Sequence, residues 1–510
     1  MRPATGIPLL DRAPAFENRI AVIDQEGSHT YSSLLGLAKR AATCLLGGRR
    51  DLGEERIAFC APPGLSYVAA QWAIWLAGGV AQPLFPGHPL PEIEYQLEDA
   101  QTSSLLCHPD FAARLRPAAD KLRIPLISTT EAFGAPPSRV LPVLELKRRA
   151  MILYTSGTTS KPKGVVLTHG NLTAQISSLV EAWQWRPEDR ILHVLPLHHT
   201  HGIVNALCCA LWSGAACDML PRFDPDEVWD RFVRGGVTLF MAVPTIYVRL
   251  ISAWEKASPE RRKILSQAGA RLRLMVSGSA ALPLEVFEKW REITGQTLLE
   301  RYGMTEIGMA LSNPLRGERR PGCVGTPLPD VEVRLTDEDG QPVSRDGTAG
   351  EIEVRGPTVF LEYWRRPEAT KAAFREGWFR TGDIAVLDRG SYRILGRSSV
   401  DIIKTGGYKV SALEIESVLS GHPAIRECAV VGVEDAEWGE RVAAAVVLKP
   451  GCSLTLPELR SWVKERLAPY KVPSLLKCFE TLPRNVLGKV TKPEVKKALD
   501  TQGHPWRRRS

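Results

Sequence analysis

The chain has 510 residues, of which 42 are glycine and 38 proline, together about 16% and below the ~25–30% at which disorder becomes the default. At roughly 150 residues per domain the length gives about three structural units, enough to bury a large core without disulfides or metals. Lys and Arg (65) outnumber Asp and Glu (57) for a net charge of +8, which favours anionic small molecules but is too dilute to specify nucleic acid.

From Ala21 the pattern reads strand (AVID), helix (Tyr31 to Leu46), strand (RIAFCAP) and helix (YVAAQWAIWLAGG), the last stopping at its glycines. The apolar run from Val68 to Phe85 is interrupted by Gln71, Gly78, Gly79, Gln82 and Pro83, so it fails the ~18-residue criterion for a membrane span. The cycle recurs with SSLLCHP, with ILHVLPL and a helical stretch near Ile203 to Trp212, with TLFMAVP, and with RLRLMVSG before a helix from about Pro283 to Thr294. Such alternation implies βαβ units and parallel sheets. After Arg320 short alternating strands and turns predict a small β-rich subdomain, and beyond Gly396 a segment of about 110 residues carries its own apolar pattern, as a small α+β domain does. Ten cysteines occur without a CxxC pair or zinc spacing, which fits buried free thiols in a reducing compartment. The start of the chain has Arg2 and no apolar h-region, so a secretory signal is not expected, while a short or trimmed mitochondrial presequence fits.

The most informative stretch is Tyr154-Thr-Ser-Gly-Thr-Thr-Ser-Lys-Pro-Lys-Gly164. Small residues let backbone N–H groups approach phosphate oxygens, hydroxyls add donors, and lysines neutralise charge. It differs from a Walker A loop, in which GK is followed by Ser or Thr, because Lys163 precedes Gly164. Four more segments stand out downstream: ERYGMTE (Glu300 to Glu306), GWFRTGD (Gly377 to Asp383), GRSSVDIIKTGGYKV (Gly396 to Val410) and PRNVLGKV (Pro483 to Val490). In this order, over nearly the whole chain, the five resemble the motifs of the adenylate-forming superfamily of acyl-CoA synthetases, luciferases and peptide-synthetase adenylation domains. With LPLHHTHG, VPTIY and VSGSAALPL added, the pattern most resembles the malonate–CoA ligases, particularly those of animal mitochondria.

The resemblance implies a large N-terminal domain over residues 1–395, a hinge at 396–401, and a mobile C-terminal lid over 402–510. It implies ATP, Mg²⁺ and coenzyme A as reaction partners, malonate or methylmalonate as the acid, no nucleic acid, and the mitochondrial matrix rather than the cytoplasm. Thr155, Ser156, Gly157, Thr158, Thr159, Ser160, Lys161, Pro162 and Lys163 would cradle the phosphates, and Gly278 and Ser279 would lie along the adenine. Thr305 would contact the α-phosphate and Glu306 hold magnesium, a cation of hard oxygen ligands. Asp383 would accept from the ribose hydroxyls, with Arg397 reinforcing the ribose or phosphate contact. Lys489 would bridge the attacking carboxylate and the α-phosphate.

Ser399 marks the pivot, where relatives often carry Asp or Lys, and Gly406, Gly407 and Tyr408 would line the pantetheine path. His199, in a run with His198 and His201, corresponds to the family's acyl-pocket gate. Arg249 and Arg301 lie in segments flanking that pocket. A buried guanidinium needs a partner, which a second substrate carboxylate would supply. The alternatives are local pairing of these arginines with acids such as Glu300 in a short- or medium-chain monocarboxylate ligase, or a non-catalytic adenylate-binding relative.

Overall fold

The helix expected over Tyr31–Leu46 forms there: the Thr30 side chain accepts from the Ser33 N–H at its start, and Gly47 is left-handed at its end, satisfying backbone groups that have no helical partner. The computed structural model describes residues 5–137, 140–155, 162–398, 400–405, 408–435, 438–484 and 490–500. They divide into two compact units. One comprises Met1–Leu282, Val286–Val333 and Val354–Phe379, the other Pro283–Glu285, Arg334–Glu353 and Arg380–Ser510. This division falls earlier in the chain than the motif-based hinge and assigns part of the β-rich segment to the second unit.

The first unit contains two sheets. In one, parallel strands Leu299–Met304, Leu274–Ser277, Leu239–Ala242, Arg190–His193, Ala216–Met219 and Ile20–Asp24 lie side by side. In the other, Val80–Pro83, Arg56–Cys60, Ser104–Cys107 and Leu126–Ser128 are parallel. These are the expected βαβ units. Antiparallel hairpins extend both sheets: Arg149–Thr155 pairs with Lys163–Thr168, and Leu299–Met304 with Gly308–Ser312. The links within these pairs are too short for the crossover that parallel neighbours need.

Helix Leu65–Leu76 is buried at eleven of its twelve positions because it lies between the sheets. Trp75 Nε1 donates to Ala150 O on one side and the Tyr67 hydroxyl to Leu197 O on the other, both at 2.8 Å. A helix apolar all round belongs in such an interior. An aromatic core of Trp229, Phe232, Phe240, Tyr247, Phe287 and Trp290 fills the space behind strands Leu239–Ala242 and Leu274–Ser277, with Trp229 and Trp290 stacked at 5.7 Å.

In the second unit, Trp378–Asp388 pairs with Ser391–Arg397. A five-stranded sheet is built on the long antiparallel pair Ile425–Asp435 and Gly439–Leu448. Its side chains alternate: Val430, Val442, Ala444 and Val446 face helices Ala412–Ser420 and Leu456–Lys464, while Ala429, Val431, Ala443 and Ala445 face helix Lys492–Asp500. Period-two alternation with both faces apolar is what a sheet covered on both sides requires. None of the ten cysteines is bridged, and no described helix is long and apolar enough to cross a membrane.

Candidate active site

Thr155 and Lys163 are paired at the connected end of a hairpin, so the hydroxyl- and glycine-rich stretch joins two antiparallel strands. Ser156, Gly157, Thr158, Thr159, Ser160 and Lys161 lie outside the described residues. Both flanks are braced from helix Leu90–Asp99. The Tyr154 hydroxyl donates to Asp99 Oδ2 at 2.9 Å, the Tyr95 hydroxyl to Pro162 O at 2.8 Å, and Arg366 pairs with Asp99 at 2.6 Å.

Opposite these flanks, the turn between Leu299–Met304 and Gly308–Ser312 presents Thr305, half-buried, and Glu306, buried. The Phe360 N–H donates to Glu306 O at 2.7 Å. Tyr363 joins the two motifs: its hydroxyl donates to Glu306 Oε1 at 2.9 Å, and the Lys163 ammonium sits 4.9 Å from its ring centroid. A ring with a cation over its face and a hydroxyl on a carboxylate holds both charges in place. Sequence reasoning missed Tyr363 because the short strand Glu362–Tyr363 carries no motif, only its pairing with Lys163–Thr168.

The neighbouring strand ends define a second corner. Arg301 is 4% exposed, and one of its terminal nitrogens donates to Ser279 Oγ at 3.3 Å. Its Nε has no hydrogen-bond partner, and none of the ion pairs among the described residues includes it. Burial pulls this guanidinium down to about 10. Gly278 allows the close approach, since a Cβ there would come within 2.4 Å of Arg301 Cζ. Ser279 is held at φ +67°, a conformation uncommon for residues other than glycine and frequent at functional sites. Gly278 and Ser279, expected along an adenine, are thus also the roof of the Arg301 corner.

His201 completes it, with Nδ1 3.3 Å from Ser279 Oγ. Burial, reinforced by the Arg301 charge, holds its imidazole neutral, well below the ordinary range. It opens a π-helix over His201–Cys208, a form rare enough to point to function. His199, the expected gate, is an exposed ring 4.1 Å from that of His198, itself stacked on Phe85 at 4.4 Å. Burial, then the charges of His199 and His88, drives His198 down to about 2.

Arg249 is exposed on helix Pro244–Lys256, its guanidinium 4.8 Å from the Phe223 ring. Among the described residues no contact joins it to Arg301, so the structure buries one of the two expected arginines and not the other. Local pairing with Glu300 does not occur either. Glu300 accepts from the Gly322 N–H at 3.0 Å, and burial raises its carboxyl to about 8.

In the second unit Asp383 and Arg397 sit directly opposite each other on paired strands, with Nε and Oδ1 3.3 Å apart. Asp383 is buried and Arg397 half-buried. Tyr408 is 54% exposed and stacks on Tyr470 at 4.3 Å. Lys489, Ser399, Gly406 and Gly407 lie outside the described residues.

A buried carboxylate linked through Tyr363 to Lys163, with a separate guanidinium corner, suits a polyphosphate and a small anion. The profile of AMP-binding enzymes matches residues 9–364, and that of the AMP-binding enzyme C-terminal domain matches 414–489. The chain belongs to this family. Among its relatives, the mitochondrial malonate–CoA ligase ACSF3 of Homo sapiens is 49% identical, over 99% of this chain and 93% of that protein. The ATP-bound structure of MatB from Rhodopseudomonas palustris superposes with a TM-score of 0.88 at 35% identity, covering 97% of this chain and 99% of that one. A malonyl-CoA ligase in a ternary product complex with methylmalonyl-CoA and AMP has a TM-score of 0.69 at 38% identity, covering 94% and 100%.

Proposed function

We propose that the protein is an AMP-forming malonate–CoA ligase. Malonate attacks the α-phosphorus of ATP, the bond to pyrophosphate breaks, and malonyl-adenylate results. The CoA thiol then loses its proton and attacks the acyl carbon, forming the C–S bond of malonyl-CoA and releasing AMP.

The observation that carries the choice of acid is Arg301. A buried guanidinium without a carboxylate partner is several kcal/mol unfavourable, and the second carboxylate of a dicarboxylic acid relieves it with bidentate geometry. His201, held neutral, adds no second positive charge to the corner, and Ser279 contributes a hydroxyl to it.

Lys163 and the hydroxyl loop take the triphosphate, and Thr305 the α-phosphate. Glu306 suits magnesium, which takes hard oxygen ligands and usually only one or two carboxylates; the Tyr363 hydroxyl fixes the orientation of that carboxylate. The ion, when bound, supplies positive charge to the phosphates. Asp383 accepts from the ribose hydroxyls, Lys489 stabilises the charge that grows as carboxylate meets phosphate, and the hinge at 396–401 with Gly406, Gly407 and Tyr408 serves the thiol step. The relatives' mitochondrial names support the mitochondrial matrix as the compartment. Fractionation of cells expressing the full chain checks this, and recovery in the cytoplasm overturns it.

The functional test is CoA-dependent AMP formation with malonate, methylmalonate, acetate and octanoate. Malonate is expected to lead, and a preference for octanoate overturns the reading. Arg301→Leu is expected to raise KM for malonate about 30-fold, the equivalent of ~2 kcal/mol for an unpaired buried charge, with KM for ATP within twofold of wild type. Equal rises in both constants would assign Arg301 a structural role.

A further inference from the structure

The helix Lys492–Asp500 begins with a lysine, a poor choice for a helix N-terminus, where the macrodipole favours negative charge. Its side chain is nevertheless only 12% exposed. The ammonium lies 2.5 Å from Asp401 Oδ1 and 2.8 Å from Glu416 Oε1. Neither helix propensity nor solubility explains a cation placed there; the two carboxylates do.

Each carboxylate is also held by a backbone N–H. Glu416, on helix Ala412–Ser420, also accepts from the Val430 N–H at 2.6 Å. Asp401 closes the turn that begins at Arg397: Oδ2 accepts from the Arg397 N–H at 3.1 Å, and the Asp401 N–H donates to Arg397 O at 2.8 Å. That turn needs Gly396 at φ +125°, because a Cβ there would meet Asp401 Cβ at 2.3 Å. Contacts therefore run from Lys492 through Asp401 and Arg397 to Asp383. On its other side Lys492 directly follows the base of the segment bearing Lys489: Arg484 and Val490 form an antiparallel bridge, and the Thr491 N–H donates to Pro483 O at 2.9 Å.

We infer that Lys492 is a positioning residue for the adenylation step, tying the chain that carries Lys489 to the Arg397–Asp401 turn. The inference rests on the proposed roles of Lys489 and Asp383. Because Lys489 acts only while the carboxylate meets the α-phosphate, the tie matters in that step and not in thioester formation. A buried ion cluster that merely holds the unit together would affect both.

The test uses the full chain and measures the half-reactions separately: malonate-dependent exchange of labelled pyrophosphate into ATP, and malonyl-CoA formation from prepared malonyl-adenylate and CoA. Lys492→Met is expected to slow exchange at least tenfold and leave thioester formation within twofold. Lys492→Arg, keeping the charge, is expected to restore exchange to within threefold. Glu416→Gln, which keeps shape and can still accept from the Val430 N–H, stands in should Lys492→Met fail to fold, with the same split expected. Equal loss in both half-reactions, or none in either, overturns the inference. Lys489→Ala separates the two claims: if it leaves exchange intact the functional reading fails, and if it abolishes exchange while Lys492→Met shows no split, only the positioning role fails.

Discussion

Glu300 and Arg301 are adjacent on one strand and face opposite environments, one accepting a backbone N–H and the other holding a serine hydroxyl. Burial raises Glu300 to about 8, against about 4.3 in an unfolded chain. Between those values the folded state binds the extra proton, so the penalty is absent below about 4.3 and stability falls as pH rises toward 8. Glu300→Gln removes that slope. Its melting temperature is expected to gain on wild type steadily from pH 5 to pH 8, and a constant difference across that range would contradict the assignment. The motif ERYGMTE made both residues visible, but which of them is paired depends on strand facing and on Gly322, distant in sequence. The run HHTH likewise offered three histidines, and their differing burial, with His199 exposed and His201 buried beside Ser279, left no mark in the sequence. Arg249 shows the same limit, because the resemblance placed its segment beside the acyl pocket but not the exposed helix face on which the side chain sits.

At the scale of elements, the period of the apolar residues placed the strands and helices closely, and helix Tyr31–Leu46 has the expected bounds. What periodicity could not show was hydrogen-bond register. The stretch near Ile203 to Trp212 reads as a helix, yet it begins as a π-helix over His201–Cys208 before an α-helical turn, Cys209–Ser213. The wider winding carries His201 beside Ser279 and buries the amide of Asn205. The strand Glu362–Tyr363 was also unreadable, being two residues long and defined by its partner. Its tyrosine gives an element-scale prediction. Tyr363→Phe keeps the ring under Lys163 and deletes the hydrogen bond to Glu306, worth about 1 kcal/mol. The magnesium concentration for half-maximal adenylation is expected to rise about fivefold, with KM for malonate unchanged. An unchanged magnesium requirement would detach Tyr363 from that role.

For the whole molecule, the α/β class and the separate pattern of the last 110 residues were legible because each part has its own apolar periodicity. The boundary of compactness was not: strands Ala349–Arg355 and Trp378–Asp388 contribute residues to both units, and such sharing leaves no compositional mark. The unpaired guanidinium at Arg301 also has an effect on the fold as a whole. On the proposed role of Arg301, the empty protein folds with a charge uncompensated, and ligand binding to the native state alone adds stability by mass action. Thermal transitions are expected to lie higher in saturating malonate than in saturating acetate, and unliganded Arg301→Leu to melt no lower than unliganded wild type despite its poorer catalysis; a lower transition would mean that the guanidinium stabilises the empty fold. Resistance to unfolding and proteolysis would then follow the supply of dicarboxylic acid, making the lifetime of the enzyme a readout of its own substrate.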